Sequence, residues 1–184
     1  FVDTVMAGQY GATDLAAVAL GASILFPVII FLAGILLAVI PTVSQYFGAR
    51  QYELIGPYVQ QSIWLGLILG LLAMALIRIA ESLFTLLDIN GVVRSIALNY
   101  LHAAAFSLPA IAILQSLRCF SEGLGITKPI MVISLISLLL NIPANYLLLY
   151  GKLGLPEMGG AGCGWASAMS FWISLLIMSG YVAW

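Results

Sequence analysis

Pro129-Ile-Met-Val-Ile-Ser-Leu-Ile-Ser-Leu-Leu-Leu-Asn-Ile-Pro-Ala-Asn-Tyr-Leu-Leu-Leu-Tyr-Gly151 carries no charged residue and sets two amides, Asn141 and Asn145, around Pro143. A helix needs ~20 apolar residues to cross a hydrocarbon core ~30 Å thick, and this run is long enough. Two amides one turn apart share a helix face and are costly in lipid, so they should face protein or a water-filled cavity. Pro143 has no N–H to offer the Leu139 carbonyl one turn earlier. Amide oxygens beside a freed carbonyl on a broken membrane helix resemble part of a cation or proton site. The plainer alternative is a kinked packing helix whose amides bond to neighbouring helices.

The rest of the chain is built alike. It is 63% hydrophobic and 7% charged, where a soluble domain carries roughly 25% charged residues. Charge-free runs cover Leu15 to Ala49, Leu54 to Ile77, Ser95 to Leu117, Pro129 to Gly151 and Met158 to Trp184. Each passes the ~18-residue threshold for a span, and the first is long enough that its ends should lie in the interface. Gly48 to Pro57, Asp88-Ile-Asn-Gly91, Glu122-Gly-Leu-Gly125 and Gly151 to Gly160 with Pro156 read as short connections. The runs do not alternate, which excludes a membrane β-barrel. The class is an all-α polytopic membrane protein. Phe1-Val-Asp-Thr-Val-Met-Ala-Gly8 reads as the end of a helix whose start is missing, so five full spans follow a stub. Tyr181 and Trp184 suit an interface.

Charge does not orient these spans. Calling the side reached by the stub side X, Arg78, Arg94 and Lys152 lie there, against Arg50, Arg118 and Lys128 on side Y. A net charge of −1 speaks against a polybasic role on nucleic acid or lipid. Cys119 and Cys163 fall near opposite faces, ~30 Å apart, and are not expected to bridge.

Depth singles out a polar layer. At ~1.5 Å per residue, Asp3 lies ~8 Å below Gly8, Asn145 ~9 Å and Asn141 ~15 Å below Gly151, and Ser167 ~10 Å beyond Gly160. Asp3 is the one carboxylate well inside a span, and an intramembrane acid marks a functional site by default. Small residues at Gly160, Gly164 and Ala168, at Gly162, Ala166 and Ser170, and at Gly66 and Gly70 read as close-packing faces. Arg118 and Glu122, four apart at the side-Y end, read as a helix-end ion pair anchoring that surface, or as part of an inward gate.

Catalytic motifs are sparse. There is no HExxH, clustered Cys and His, or glycine-lysine phosphate loop. Gly21-Ala-Ser23 with the lone His102 would be a serine dyad, but Ile24 stands where a rhomboid-type protease carries glycine.

Phe1-Val-Asp-Thr-Val-Met-Ala-Gly8, Pro41-Thr-Val-Ser-Gln45, Leu117-Arg-Cys-Phe-Ser-Glu-Gly123 and Thr127-Lys-Pro129 continue into Asn141-Ile-Pro-Ala-Asn145, Leu148-Leu-Tyr-Gly151 and Gly160-Ala-Gly-Cys-Gly-Trp-Ala166. In this order and spacing they resemble the multidrug and toxic compound extrusion transporters, close to the NorM-like bacterial branch. The resemblance implies a twelve-helix, two-lobe fold, of which residues 1–184 would be the six-helix N-terminal lobe with its first helix truncated. Side X would then be periplasmic, in a bacterial inner membrane. It further implies an antiporter exporting cationic amphipathic compounds against H⁺ or Na⁺, with no cofactor. The C-terminal lobe would be its partner, in contact with membrane lipid.

Asp3, Asn141, Asn145 and Ser167 would bind the proton or cation, with Na⁺ at Asp3, Asn141 and Asn145. Some relatives carry an acid where Asn145 stands, and Ser167 replaces a frequent threonine. Pro143 is the natural hinge for a bend that follows protonation of Asp3. A lipid-precursor flippase of the same superfamily is the alternative, though such a protein would want cationic rather than acidic groups in its cavity.

Overall fold

A computed structural model describes residues 2–86, 91–152 and 157–183, with the side chains of 80–86 and 183 left aside. Phe1, the Asp88-Ile-Asn part of the second connection, Pro156 and Trp184 lie outside the described residues. Those residues form eight helices: α1 (Val2–Tyr10), α2 (Ala12–Leu36), α3 (Val39–Gly48), α4 (Tyr52–Leu86), α5 (Gly91–Ala105), α6 (Leu108–Gly123), α7 (Lys128–Tyr150) and α8 (Gly160–Ala183).

Apart from the stub α1, seven helices make five spans, because proline divides two of the apolar runs. Ala12–Gly48, Tyr52–Ile79, Lys128–Tyr150 and Gly160–Val182 are each long and apolar enough to cross a bilayer. The fifth is the pair α5 and α6, bent by 42°. A helical proline removes a donor and crowds the carbonyl four residues back. For Pro109 that residue is Ala105, where α5 stops, and the Ser107 N–H closes a tighter turn onto the Ala104 carbonyl at 2.9 Å. For Pro41 it is Leu37, whose carbonyl accepts from the Ile40 N–H at 3.1 Å between α2 and α3. The long first run therefore continues past the break as α3. There α3 packs on α6, with Ser44 Oγ donating to the Gly123 carbonyl at 3.0 Å.

Pro143 behaves differently. The sequence suggested a broken helix, but α7 runs unbroken through it from Lys128 to Tyr150. The helix ends at Gly151, whose left-handed φ of 61° suits glycine.

Small residues bring the backbones together. A Cβ on Gly70 would stand 2.6 Å from Pro109 Cα, and one on Gly66 3.1 Å from the Ala112 carbonyl oxygen, so α4 lies directly on α6. On α8, Gly162 abuts the Leu148 carbonyl of α7, while Gly164 abuts the Tyr100 carbonyl of α5. The two small-residue faces of α8 thus take two partners, and the close approach of α7 and α8 positions the polar layer. Cys119 and Cys163 are both free and buried.

Candidate functional site

Asp3 stands in the first turn of α1, and α1 packs against α7 and α8. Its carboxylate accepts from Asn145 Nδ2 at 2.8 Å on one oxygen and from Ser167 Oγ at 2.7 Å on the other. Asn145 Nδ2 also donates to Asn141 Oδ1 at 3.0 Å and to the Asn141 carbonyl at 3.1 Å. Asn141 Nδ2 closes the ring by donating to Ser167 Oγ at 3.3 Å. Three helices therefore deliver four side chains to one network. The i,i+4 spacing of the amides puts both on one face of α7.

Asn145 is fully buried and Asp3 partly so. Asp3 and Asn141 open onto a cleft of about 360 Å³ whose wall includes Phe26, Tyr100, Ser137 and Phe171. An apolar, aromatic wall with an acid at one end suits a cationic amphipath.

One atom in the network is unsatisfied. Asn145 Oδ1 is buried without a hydrogen-bond partner. As placed, Asn145 turns its donor end to the Asp3 carboxylate. Rotating the amide would present Oδ1 beside the Asp3 carboxylate and Asn141 Oδ1, an oxygen set of the kind hard cations take. The donor set therefore fits Na⁺ in that rotated form.

Two residues above the layer escaped the sequence reading. Asp14 Oδ1 accepts the Gly160 backbone N–H at 2.7 Å, so a carboxylate from α2 meets the first turn of α8. Tyr10 donates to Glu157 Oε1 at 2.7 Å and meets the Tyr150 ring edge-on at 5.7 Å. These contacts tie the side-X ends of α1 and α2 to those of α7 and α8. Cys163, one turn before Ser167, contributes a weak Sγ contact to the Asp3 carbonyl at 3.8 Å. An acid in the first turn of α2 and a Gly-Gly pair before α8 were the available signals, but neither names the other as partner.

Other expectations fare differently. Among the described residues no ion pair joins Arg118 to Glu122, which corrects the helix-end pair expected from their spacing. Arg118 instead enters a cleft between α6, α7 and α8 with Ser134, Ser137 and Ser174, its Nε buried and without a partner. The packing of α6 against α8 carries the guanidinium sideways, a direction spacing along one helix cannot give. Ser23 is exposed and donates to the Leu20 carbonyl of its own helix at 2.7 Å, while His102 lines a different cavity, so no dyad forms.

The MatE family model matches residues 1–147. The chain belongs to the MatE family. Among curated MatE relatives, the multidrug resistance protein MdtK of Edwardsiella ictaluri is 45% identical over 184 residues, all of this chain and 40% of that protein. The multidrug resistance protein NorM of Vibrio parahaemolyticus is 41% identical over 182 residues, covering 99% of this chain and 40% of that one. The chain thus spans about 40% of the length of these relatives.

A solved structure of the MATE transporter NorM-NG, held in a complex that includes a monobody, matches with a TM-score of 0.81 at 36% identity, over 100% of this chain and 40% of that one. An outward-facing multidrug resistance MATE family transporter matches in fold with a TM-score of 0.88 at 23% identity, over 98% and 39%. The MatE chain is a multi-pass helical membrane protein.

Proposed function

We propose that residues 1–184 are the N-terminal lobe of a two-lobe secondary antiporter that exports cationic amphipathic compounds across a bacterial inner membrane in exchange for H⁺ or Na⁺. The observation that carries this reading is the Asp3 carboxylate, held by Asn145 and Ser167 at the head of an aromatic cleft. A carboxylate can alternate between charged and neutral forms, whereas its amide neighbours cannot. Charged, Asp3 attracts a cationic drug or Na⁺ into the cleft. Neutralised by a proton, it loses that attraction and releases its hold on Asn145. Na⁺, if it is the coupling ion, would be held by Asp3, Asn141 and the rotated Asn145 amide, supplying the same neutralisation.

The names of the relatives support the drug-export part of this reading, and the family's two-lobe architecture supports pairing with a C-terminal lobe. The Arg118 cleft shares Ser134, Ser137 and Phe171 with the Asp3 cleft, so Arg118 stands at the far end of one groove, where it would act in the inward gate. A flippase gripping a pyrophosphate would want several cations there. Among the described lining residues Arg118 is the only one.

The test is Asp3→Asn in the full-length transporter. Export of a cationic dye should be lost while expression and unfolding midpoint stay near the parent values, because the amide keeps the size of the side chain and removes its charge. Near-normal resistance at matched expression would overturn the reading.

A further inference from the structure

The helices that build the Asp3 site have a second face. On α5, Tyr100 and Ala104 line the Asp3 cleft, while Asn99, His102 and Phe106 line a separate cavity of about 540 Å³ between α4, α5 and α8. On α8, Ser167 points to Asp3 and Trp165 to this second cavity; residues two apart on a helix differ by about 200°. The cavity therefore backs onto the site without joining it.

The polar side chains among the described residues that line it can all donate a hydrogen bond. Arg78 from α4, Asn99 and His102 bring hydrogen-bond donors to it, and no acid is among its described lining residues. His102 Nε2 is buried there without a partner. Arg78 makes no hydrogen bond or ion pair among the described residues. A guanidinium, an amide and an imidazole converging without an acid match the several acceptor oxygens of a phosphate.

The position of the cavity says which phosphate. Arg78 is the first charged residue after the charge-free run Leu54 to Ile77, in the side-X half of α4. Trp165 rests on the Phe106 ring at 6.2 Å, and tryptophan beside an arginine that closes a charge-free run is the chemistry of the headgroup layer. From Trp165 an exposed apolar track continues down the same face of α8 through Met169 and Leu176. A soluble anion would leave that track unused. An acyl chain would cover it.

We propose that this cavity binds a phospholipid of the side-X leaflet, its phosphate held by Arg78, Asn99 and His102 and one chain lying along Trp165, Met169 and Leu176. The site is distinct from the drug cleft and does not depend on the antiporter reading.

The test uses the full-length transporter in detergent, with phosphatidylglycerol titrated and bound lipid counted by native mass spectrometry. Arg78→Gln should weaken the tightest phosphatidylglycerol about tenfold, as expected when a charge-assisted hydrogen bond is removed. Arg118→Gln, which removes the same charge elsewhere, should not. Asn99→Asp, which puts a negative charge in the same cavity, should repeat the loss and serves if Arg78→Gln does not fold. Diacylglycerol with the same chains should bind far more weakly, and inorganic phosphate should not raise the unfolding midpoint. Equal losses in Arg78→Gln and Arg118→Gln would overturn the proposal. Stabilisation by inorganic phosphate alone would also overturn it, in favour of a soluble-anion site, as would diacylglycerol binding as tightly as the phospholipid.

Discussion

Pro109 and Pro143 are both prolines within apolar runs, yet one divides its span and the other does not. Pro109 is buried, and the chain beside it bends by 42°; Pro143 is exposed, and α7 passes through it as one helix. The missing N–H is the same in both. What differs is the surroundings. Around Pro109, α4 presses backbone against backbone at Gly70, and Ser107 Oγ donates to the Ala104 carbonyl at 2.6 Å. Pro143 has no such neighbour on its exposed side, while on the buried side Asn145 and Asn141 bond to each other across the turn. A proline only permits a break, and tertiary packing decides whether the break is taken.

The largest effect should come from attacking the packed side of this comparison. Gly70→Leu places a Cβ 2.6 Å from Pro109 Cα, a backbone atom that cannot turn aside. It should cost ~3 kcal/mol, at the upper end of overpacking penalties. Gly34→Leu, where nothing lies within 4 Å, should be nearly silent. Unfolding midpoints of the full-length protein in detergent separate the two. A Gly70→Leu protein as stable as its parent would mean that packing does not hold the bend.

Asn145→Leu probes the other side. It removes a buried amide that donates to Asp3 and to Asn141, and should cost ~2 kcal/mol, the scale for leaving a partly buried carboxyl group short of a donor. A loss too small to measure would mean that water replaces the amide freely and that the network does not brace α7. Ser167→Ala removes a single donor to Asp3 and should cost about 1 kcal/mol, so the pair ranks the two contacts on the carboxylate.

Pro143→Ala should have the smallest effect on stability. It restores a backbone N–H at an exposed position and replaces a poor helix former, so the unfolding midpoint should hold or rise slightly. Turnover is where it should tell. If α7 bends at Pro143 during transport, drug binding survives while export slows. Export rates unchanged across pH would leave Pro143 as a feature of packing, and the contrast with Pro109 would then be purely structural.

Much of the polar layer was legible along the chain. The helical rise turns a count of residues from Gly8, Gly151 and Gly160 into a depth, and lipid penalises every polar group at that depth unless a partner is found. That is why Asp3, Asn141, Asn145 and Ser167 could be grouped before any contact was known. The same arithmetic failed for Arg118, because a long side chain at a span end can turn toward any neighbour, and Glu122 was merely the nearest in sequence. Asp14 and Gly160 were missed for the same reason: their contact joins the ends of two helices that are distant in the chain.

The sequence by itself determined that this is a multi-span helical membrane protein, because the bilayer imposes length and apolarity on every span and leaves the pattern in composition. It also determined which polar residues share a level. Tertiary structure alone decided which face of each helix those residues meet, which proline bends its span, and that α5 and α8 carry a cavity on either side. Rotation about a helix axis and the choice of neighbour depend on close contacts such as Gly164 against Tyr100 and Gly162 against Leu148. Contacts of that kind exist only once the helices are assembled.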